Sequence, residues 1–180
     1  MTVCRSDGGD GMTRAVVSLG SNVGDRAANL AAALATMAEF PNTRLVKASS
    51  VIETDPVDVP REFAAMKFLN QAAVFETTLP PEEFSQRMHA VEDLMGRVRT
   101  VRNGPRIIDI DLIVFGGMVL DDPQLTLPHP RAKERAFVTV PLAEMGVILL
   151  NVRSRQFPLC QTYKHVVWVI NLFVNLSTII

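Results

Sequence analysis

Two acids stand inside an apolar, strand-like run, Ile108-Asp109-Ile110-Asp111-Leu112-Ile113, which is entered through Gly104-Pro105-Arg106. Successive side chains of a strand point to opposite faces, so Asp109 and Asp111 share one face, about 7 Å apart along the backbone. Carboxylates this close repel each other and resist burial unless a cation compensates them, and a hard oxygen pair favours Mg²⁺. The plainer alternative is a solvated strand face. Ile113 and Phe115 continue the parity of the acids, however, so a face that begins acidic is expected to turn apolar within one step.

Anion-binding groups surround this pair in the sequence. Arg97 and Arg99 follow a predicted helix stop at Gly96, Arg106 immediately precedes the acids, and Arg131, Lys133 and Arg135 follow Pro128-His129-Pro130. A guanidinium fork grips phosphate oxygens in pairs while Mg²⁺ bridges and neutralises them. Acids and arginines on one side of a sheet therefore suggest a metal-polyphosphate site, although any one arginine is equally at home on a solvated surface. No Gly-x-x-x-x-Gly-Lys-Ser/Thr loop is present, and Gly20-Ser21-Asn22-Val23-Gly24-Asp25 lacks the lysine of a phosphate loop. Side chains and metal would have to cradle any bound phosphates.

Taken in order, Gly20-Ser21-Asn22 after a first strand, Phe68-Leu69-Asn70 opening another, Gly96-Arg97-Val98-Arg99, Gly104-Pro105-Arg106-Ile-Ile-Asp109-Ile-Asp111 and Leu127-Pro128-His129-Pro130 resemble the hydroxymethyl-dihydropterin pyrophosphokinases of folate biosynthesis. The resemblance runs from about Arg14 to about Met145. It implies transfer of pyrophosphate from ATP to the hydroxymethyl group of 6-hydroxymethyl-7,8-dihydropterin, with release of AMP. It also implies two Mg²⁺ ions at Asp109 and Asp111, with Arg97, Arg106, His129 and Arg135 contacting phosphates or assisting transfer. Arg99 is grouped with the ATP contacts, and Glu92 matches a residue that supports the ATP site. The pterin edge needs an amide and its ring needs aromatic faces; the resemblance assigns these to Asn70, Phe68 and Phe137, with Thr54 in the neighbouring pterin-contacting loop. Read without the resemblance, each phenylalanine is a core residue more readily than a ligand.

The chain departs from the family pattern at several points. Asp58 stands where a glycine is common, His89 replaces a frequent glutamine, and Phe68 occupies a position that is tyrosine in some members. The arginine-rich loop Thr100-Val101-Arg102-Asn103 is one residue shorter than in some members, which bears on closure over substrate. Two other readings remain open on the residues alone: another Mg²⁺-dependent nucleotidyl or phosphoryl transferase, or a non-catalytic ATP- or pterin-binding domain of the same fold.

Elements must hold these groups in place. Arg14 to Leu19 reads as a strand ended by Gly20, and a helix is expected from Asp25, with Leu30, Leu34 and Met37 on its buried face. Leu45 to Ile52 reads as a second strand, Thr54 to Ala65 as a loop and Leu69 to Thr77 as a third strand. Pro80-Pro81-Glu82-Glu83 opens a helix whose Phe84, Met88, Val91 and Met95 face the core. Asp109 to Phe115 is the next strand, returning through Gly116-Gly117 and Met118 to Leu120, and a last helix is expected near Pro130. This order predicts an α+β fold, a ferredoxin-like sandwich in which helices pack on an antiparallel sheet.

A length of 180 residues fits one domain, and a net charge of -1 indicates neither a nucleic-acid nor an anionic-membrane partner. Cys4 and Cys160 suggest no disulfide framework or zinc motif, so a cytoplasmic location is expected. Residues 1–13 read as a flexible leader without an apolar signal core, and residues 14–146 as the pyrophosphokinase domain. All 10 glycines and all 19 acidic residues precede Val147, whereas the one Trp, Trp168, and the one Tyr, Tyr163, follow it. Residues 147–180 are therefore read as a divergent apolar tail foreign to the family. Its uncharged part, from His165 to Ile180, spans about 24 Å as a helix, short of a bilayer core of about 30 Å, so no membrane association is expected. A monomer is expected unless this tail drives association.

Overall fold

The computed structural model describes residues 11–97, 104–152 and 166–171. The expectations for most of the leader, for Arg99, for the loop from Thr100 to Asn103, for both cysteines and for most of the tail lie outside these residues, although Thr13, assigned to the leader, already belongs to the first strand. The chain runs β1 (Thr13–Ser21), α1 (Arg26–Ala38), β2 (Thr43–Ala48), β3 (Ile52–Thr54), β4 (Phe68–Thr77), α2 (Pro81–Leu94) and β5 (Asp109–Phe115). Then come β6 (Leu120–Asp121), β7 (Thr126–Leu127), α3 (Ala136–Glu144), β8 (Val147–Val152) and β9 (Val166–Asn171).

The central sheet has the order β2-β4-β1-β5, and β3 extends the pairing of β4. Every pairing in it is antiparallel. This is the expected α+β sandwich, and its two faces are covered differently. Ala15, Val17 and Leu19 of β1, with Phe75 of β4 and Ile110 and Leu112 of β5, meet α1 and α2 in one core. Within it, the Phe84 ring makes edge or tilted contacts with Phe40, Phe75 and Phe115 at centroid distances of 5.8, 6.2 and 6.0 Å. Burying one such side chain contributes about 1.5–3 kcal/mol. The opposite face carries Val16, Ala72, Val74, Ile113 and Val114 against Val138 and Leu142 of α3, with Val147 closing this second core.

Local chemistry accounts for the helix ends. The Asp25 carboxylate accepts the Ala28 N–H at 3.0 Å and caps α1. Pro81 opens α2 with Glu82 and Glu83 in its first turn, and Gly96 follows at φ 81, a conformation that costs glycine nothing.

Four expectations need correction. Phe115 does not share the face of the acids: β5 holds one more residue than β1 between the pairs Val17↔Leu112 and Val16↔Val114. This bulge at Ile113 reverses the parity and sends Phe115 to Phe84 on the helix side. The predicted strand from Leu45 to Ile52 divides at Ser49, whose side-chain oxygen accepts the Ala72 N–H at 3.0 Å in place of a regular ladder bond. Leu120 pairs with Leu127 in a separate two-stranded ribbon and not with β5. The last helix begins at Ala136 and not at Pro130, because the chain first makes a 3-10 turn over Ala132–Glu134 and then extends at Arg135, with φ -108 and ψ 108.

Candidate active site

The acid pair lies on the sheet face opposite α1 and α2. Cross-strand register sets Asp111 beside Ser18 and Asp109 beside Gly20, while Gly20 also lies beside Asn70 on its other flank. These neighbours open onto one cleft, with about 630 Å³ of space between its walls when the open solvent at its mouth is included. It is lined by Thr54, Phe68, Asn70, Arg106, Asp109, Asp111, Arg135 and Phe137, eight of the residues singled out from the sequence.

One end of the cleft is acidic and cationic. Asp109 accepts Arg106 Nη1 at 2.6 Å and Arg97 Nη2 at 2.7 Å. Asp111 is less well compensated, with Arg135 Nη1 3.7 Å away. A third of its side chain meets solvent but protein crowds the remainder, and this burial, with the charge of Asp109 next, pushes its carboxyl up to about 6. Asp111 is thus the carboxylate with the looser guanidinium partner, and the one more open to a cation. Among the described residues no group of three or more His, Cys, Asp or Glu side chains could complete a metal shell. The donor set suits Mg²⁺, which is held by one or two carboxylates and fills its octahedron with phosphate oxygens and water.

The other end is an amide and two rings. Asn70 is buried and donates from Nδ2 to Thr54 Oγ1 at 2.8 Å, leaving Oδ1 toward Gly20. A Cβ at position 20 would stand 2.9 Å from that oxygen, so the missing side chain of Gly20 is what gives Asn70 its room. Phe68 and Phe137 each face a guanidinium carbon, Arg106 at 6.0 Å and Arg135 at 5.5 Å, and so join the two ends.

Three sequence-predicted residues, Arg97, Glu92 and His129, stand behind the cleft instead of lining it. Glu92 is almost fully buried on α2, where Oε1 accepts the Ile110 N–H at 2.7 Å and also pairs with Arg97. His89 Nδ1 lies 3.3 Å from its other oxygen. His129 donates its backbone N–H to the Ile113 carbonyl at 2.9 Å. Its Nδ1 accepts the Arg131 N–H at 3.2 Å, and burial, followed by the charge of Arg135, lowers its pKa.

The structure gives roles to two residues to which sequence reasoning assigned none. Asn22 accepts the Arg106 N–H at 2.7 Å and donates its own backbone N–H to the Arg106 carbonyl at 3.2 Å. It thereby fixes the turn that delivers Arg106 and Asp109. Ser18 also lines the cleft, and its signal was a lone hydroxyl in the apolar run from Ala15 to Leu19.

An α+β sandwich that gathers carboxylates and guanidinium groups at one end of a small-molecule cleft belongs to the class of phosphate-transferring enzymes. Residues 16–147 match the family model of 7,8-dihydro-6-hydroxymethylpterin-pyrophosphokinase, and the chain belongs to that family. It is 44% identical over 136 residues to a 2-amino-4-hydroxy-6-hydroxymethyldihydropteridine pyrophosphokinase of Methylorubrum extorquens, covering 75% of this chain and 84% of that one. A Bacillus subtilis protein of the same name is 40% identical over 131 residues, covering 73% of this chain and 77% of the relative. Among solved structures, Plasmodium falciparum HPPK-DHPS with pteroate superposes with a TM-score of 0.56 at 16% identity, covering 74% of this chain and 38% of that longer one. That likeness bears on the fold. No helix among the described residues is long and apolar enough to cross a membrane.

Proposed function

We propose that this chain transfers pyrophosphate from ATP to the hydroxymethyl group of 6-hydroxymethyl-7,8-dihydropterin and releases AMP. Family membership supports the reaction, and one observation supports its location. A single cleft joins the Asn70 amide and the Phe68 and Phe137 rings to the Asp109, Asp111, Arg106 and Arg135 cluster. An acceptor bound at the first end presents its hydroxymethyl oxygen toward a polyphosphate bound at the second.

In this reading Asn70 and Thr54 recognise the polar edge of the pterin, and Phe68 and Phe137 sandwich its ring. Arg97, Arg99, Arg106 and Arg135 grip phosphate oxygens, and His129 stands at the ATP side. Asp109 and Asp111 would hold two Mg²⁺ ions, which when bound would supply charge neutralisation for the polyphosphate. The hydroxymethyl oxygen attacks the β-phosphorus in line and gives up its proton to solvent, while the bond to the bridging oxygen of AMP breaks and AMP departs with that electron pair. Such transfers rest on positioning and charge stabilisation, and no covalent intermediate on the protein is required. Glu92 and Asn22 act from behind, holding the backbone that carries the acids and Arg106. All these residues precede position 147, where the family match ends. Residues 147–180 are accordingly read as an appended segment, of which Val147 completes the second core.

The decisive experiment incubates purified protein with ATP, Mg²⁺ and the dihydropterin and separates the nucleotides. AMP formed in step with pterin consumption is the expected result. Formation of ADP, or AMP release that ignores the pterin, would reject the reading.

A further inference from the structure

Asp58 is one of two non-glycine residues with positive φ among those described, at 57°, and it occurs in a segment that walls the cleft. Its Oδ2 accepts Arg131 Nη2 at 2.5 Å. A left-handed aspartate is tolerated more readily than most side chains but still costs on the order of 1 kcal/mol, and it persists where the surroundings specify it. Here the conformation turns the Asp58 carboxylate toward Arg131 while Val57 and Val59 line the cleft on either side.

The two partners differ in how firmly they are held. Val57 and Asp58 are exposed, and neither belongs to either hydrophobic core. Arg131 adjoins Ala132, which is buried in the second core, and its N–H is bonded to His129 Nδ1 at 3.2 Å. The ion pair therefore ties a weakly anchored wall of the cleft to a firmly anchored segment outside its lining. The same wall begins at Thr54, the hydrogen-bond partner of Asn70.

We propose that Asp58 and Arg131 are positioning residues for the acceptor, a clamp that holds the Val57–Val59 wall against the pterin end of the cleft and sets affinity for the pterin but not for ATP. The proposal rests on the pyrophosphokinase reading above. Both side chains are about half exposed, at 55% for Asp58 and 48% for Arg131, so the clamp is weak and sensitive to salt.

Asp58→Asn keeps the size and the tolerance for positive φ while removing the charge, and Arg131→Gln removes the other charge. KM for pterin, KM for ATP and kcat are measured for the wild type, both single variants and the double variant. Each single variant is expected to raise the pterin KM by about three- to fivefold, the range open to an exposed ion pair. The double variant should show no further rise, with the ATP KM and kcat within about twofold of wild type in every case. Raising ionic strength from about 0.05 M to about 0.5 M should raise the wild-type pterin KM by a similar factor and leave the variants unmoved. An unchanged pterin KM in the single variants, additive effects in the double variant, or a parallel rise in both KM values would overturn the clamp. Absence of any pterin-dependent turnover in the wild type would overturn the functional reading first and the clamp with it.

Discussion

Glu92 Oε1 accepts the backbone N–H of Ile110 at 2.7 Å, so a buried carboxylate on α2 grips β5 between its two acids. The same oxygen pairs with Arg97, which in turn reaches Asp109 at 2.7 Å. A residue that does not line the cleft thus fixes both the strand and one of its guanidinium groups.

Glu92→Gln should separate these contributions. The amide retains the volume but loses the charge, and hydrogen bonds to a charged group typically contribute about 1.5–3 kcal/mol each. Urea denaturation should report a loss of that order. Pterin-dependent AMP formation should fall about 100-fold, since small misplacements of reacting groups cost this much. A stability loss with an undiminished rate would make Glu92 purely structural.

The two acids should respond differently to neutralisation even though both are assigned to metal. Asp109→Asn removes the charge partner of Arg97 and Arg106, which lie within 2.7 and 2.6 Å, and should destabilise the fold. Asp111→Asn removes the less compensated member of a repelling pair, so stability measured without metal should hold or rise. Both should lose at least about 1000-fold in rate, roughly 4 kcal/mol of barrier. Equal destabilisation by the two substitutions would contradict this division of roles.

Gly20→Ala should mimic damage to Asn70. The new methyl would meet Asn70 Oδ1 at 2.9 Å, and the amide can retreat only by disturbing its 2.8 Å bond to Thr54. We expect the pterin KM to rise about tenfold, within the 1–3 kcal/mol of a lost polar contact, while the ATP KM stays near wild type. In an Asn70→Ala background the same glycine substitution should add little. A full additional loss there would show that Gly20 acts on something other than Asn70.

Much of this site was legible because it depends on parity and order. The alternation of Asp109 and Asp111 put both acids on one face, and the helical spacing of Phe84, Met88 and Val91 identified the face of α2 that meets the other side of the sheet. Parity failed beyond Ile113 because a bulge inserts a residue that no local propensity announces, and Phe115 crossed to the aromatic core. The partners of Asn22 and Glu92 were illegible for a different reason. Each side chain accepts a long-range hydrogen bond from backbone, Asn22 from the Arg106 N–H and Glu92 from the Ile110 N–H, and nothing in the side-chain pattern records which backbone a polar group will meet. The 3-10 turn before α3 likewise follows from tertiary anchoring of Ala132 and not from Pro130 alone.

Glu76 supplies a pH test that leaves the cleft untouched. On β4 it bridges Arg14 of β1 at 3.2 Å and Arg44 of β2 at 2.6 Å, and none of the three lines the cleft. The Arg44 hydrogen bond, above all, lowers its carboxyl from the ordinary 4.5. Because the folded value lies below the unfolded one, the unfolded chain binds more protons through this window. The stabilisation is therefore present in full above the unfolded value and is lost as pH falls through the folded one. Both arginines are well exposed, so the contribution is about 1 kcal/mol at most. Glu76→Gln should then lower stability by up to that amount near neutral pH, with the gap to wild type closing as the solution is acidified below about pH 4. Turnover at neutral pH should be unchanged. A gap that persists undiminished in acid would show that Glu76 stabilises the sheet through packing and not through its charge.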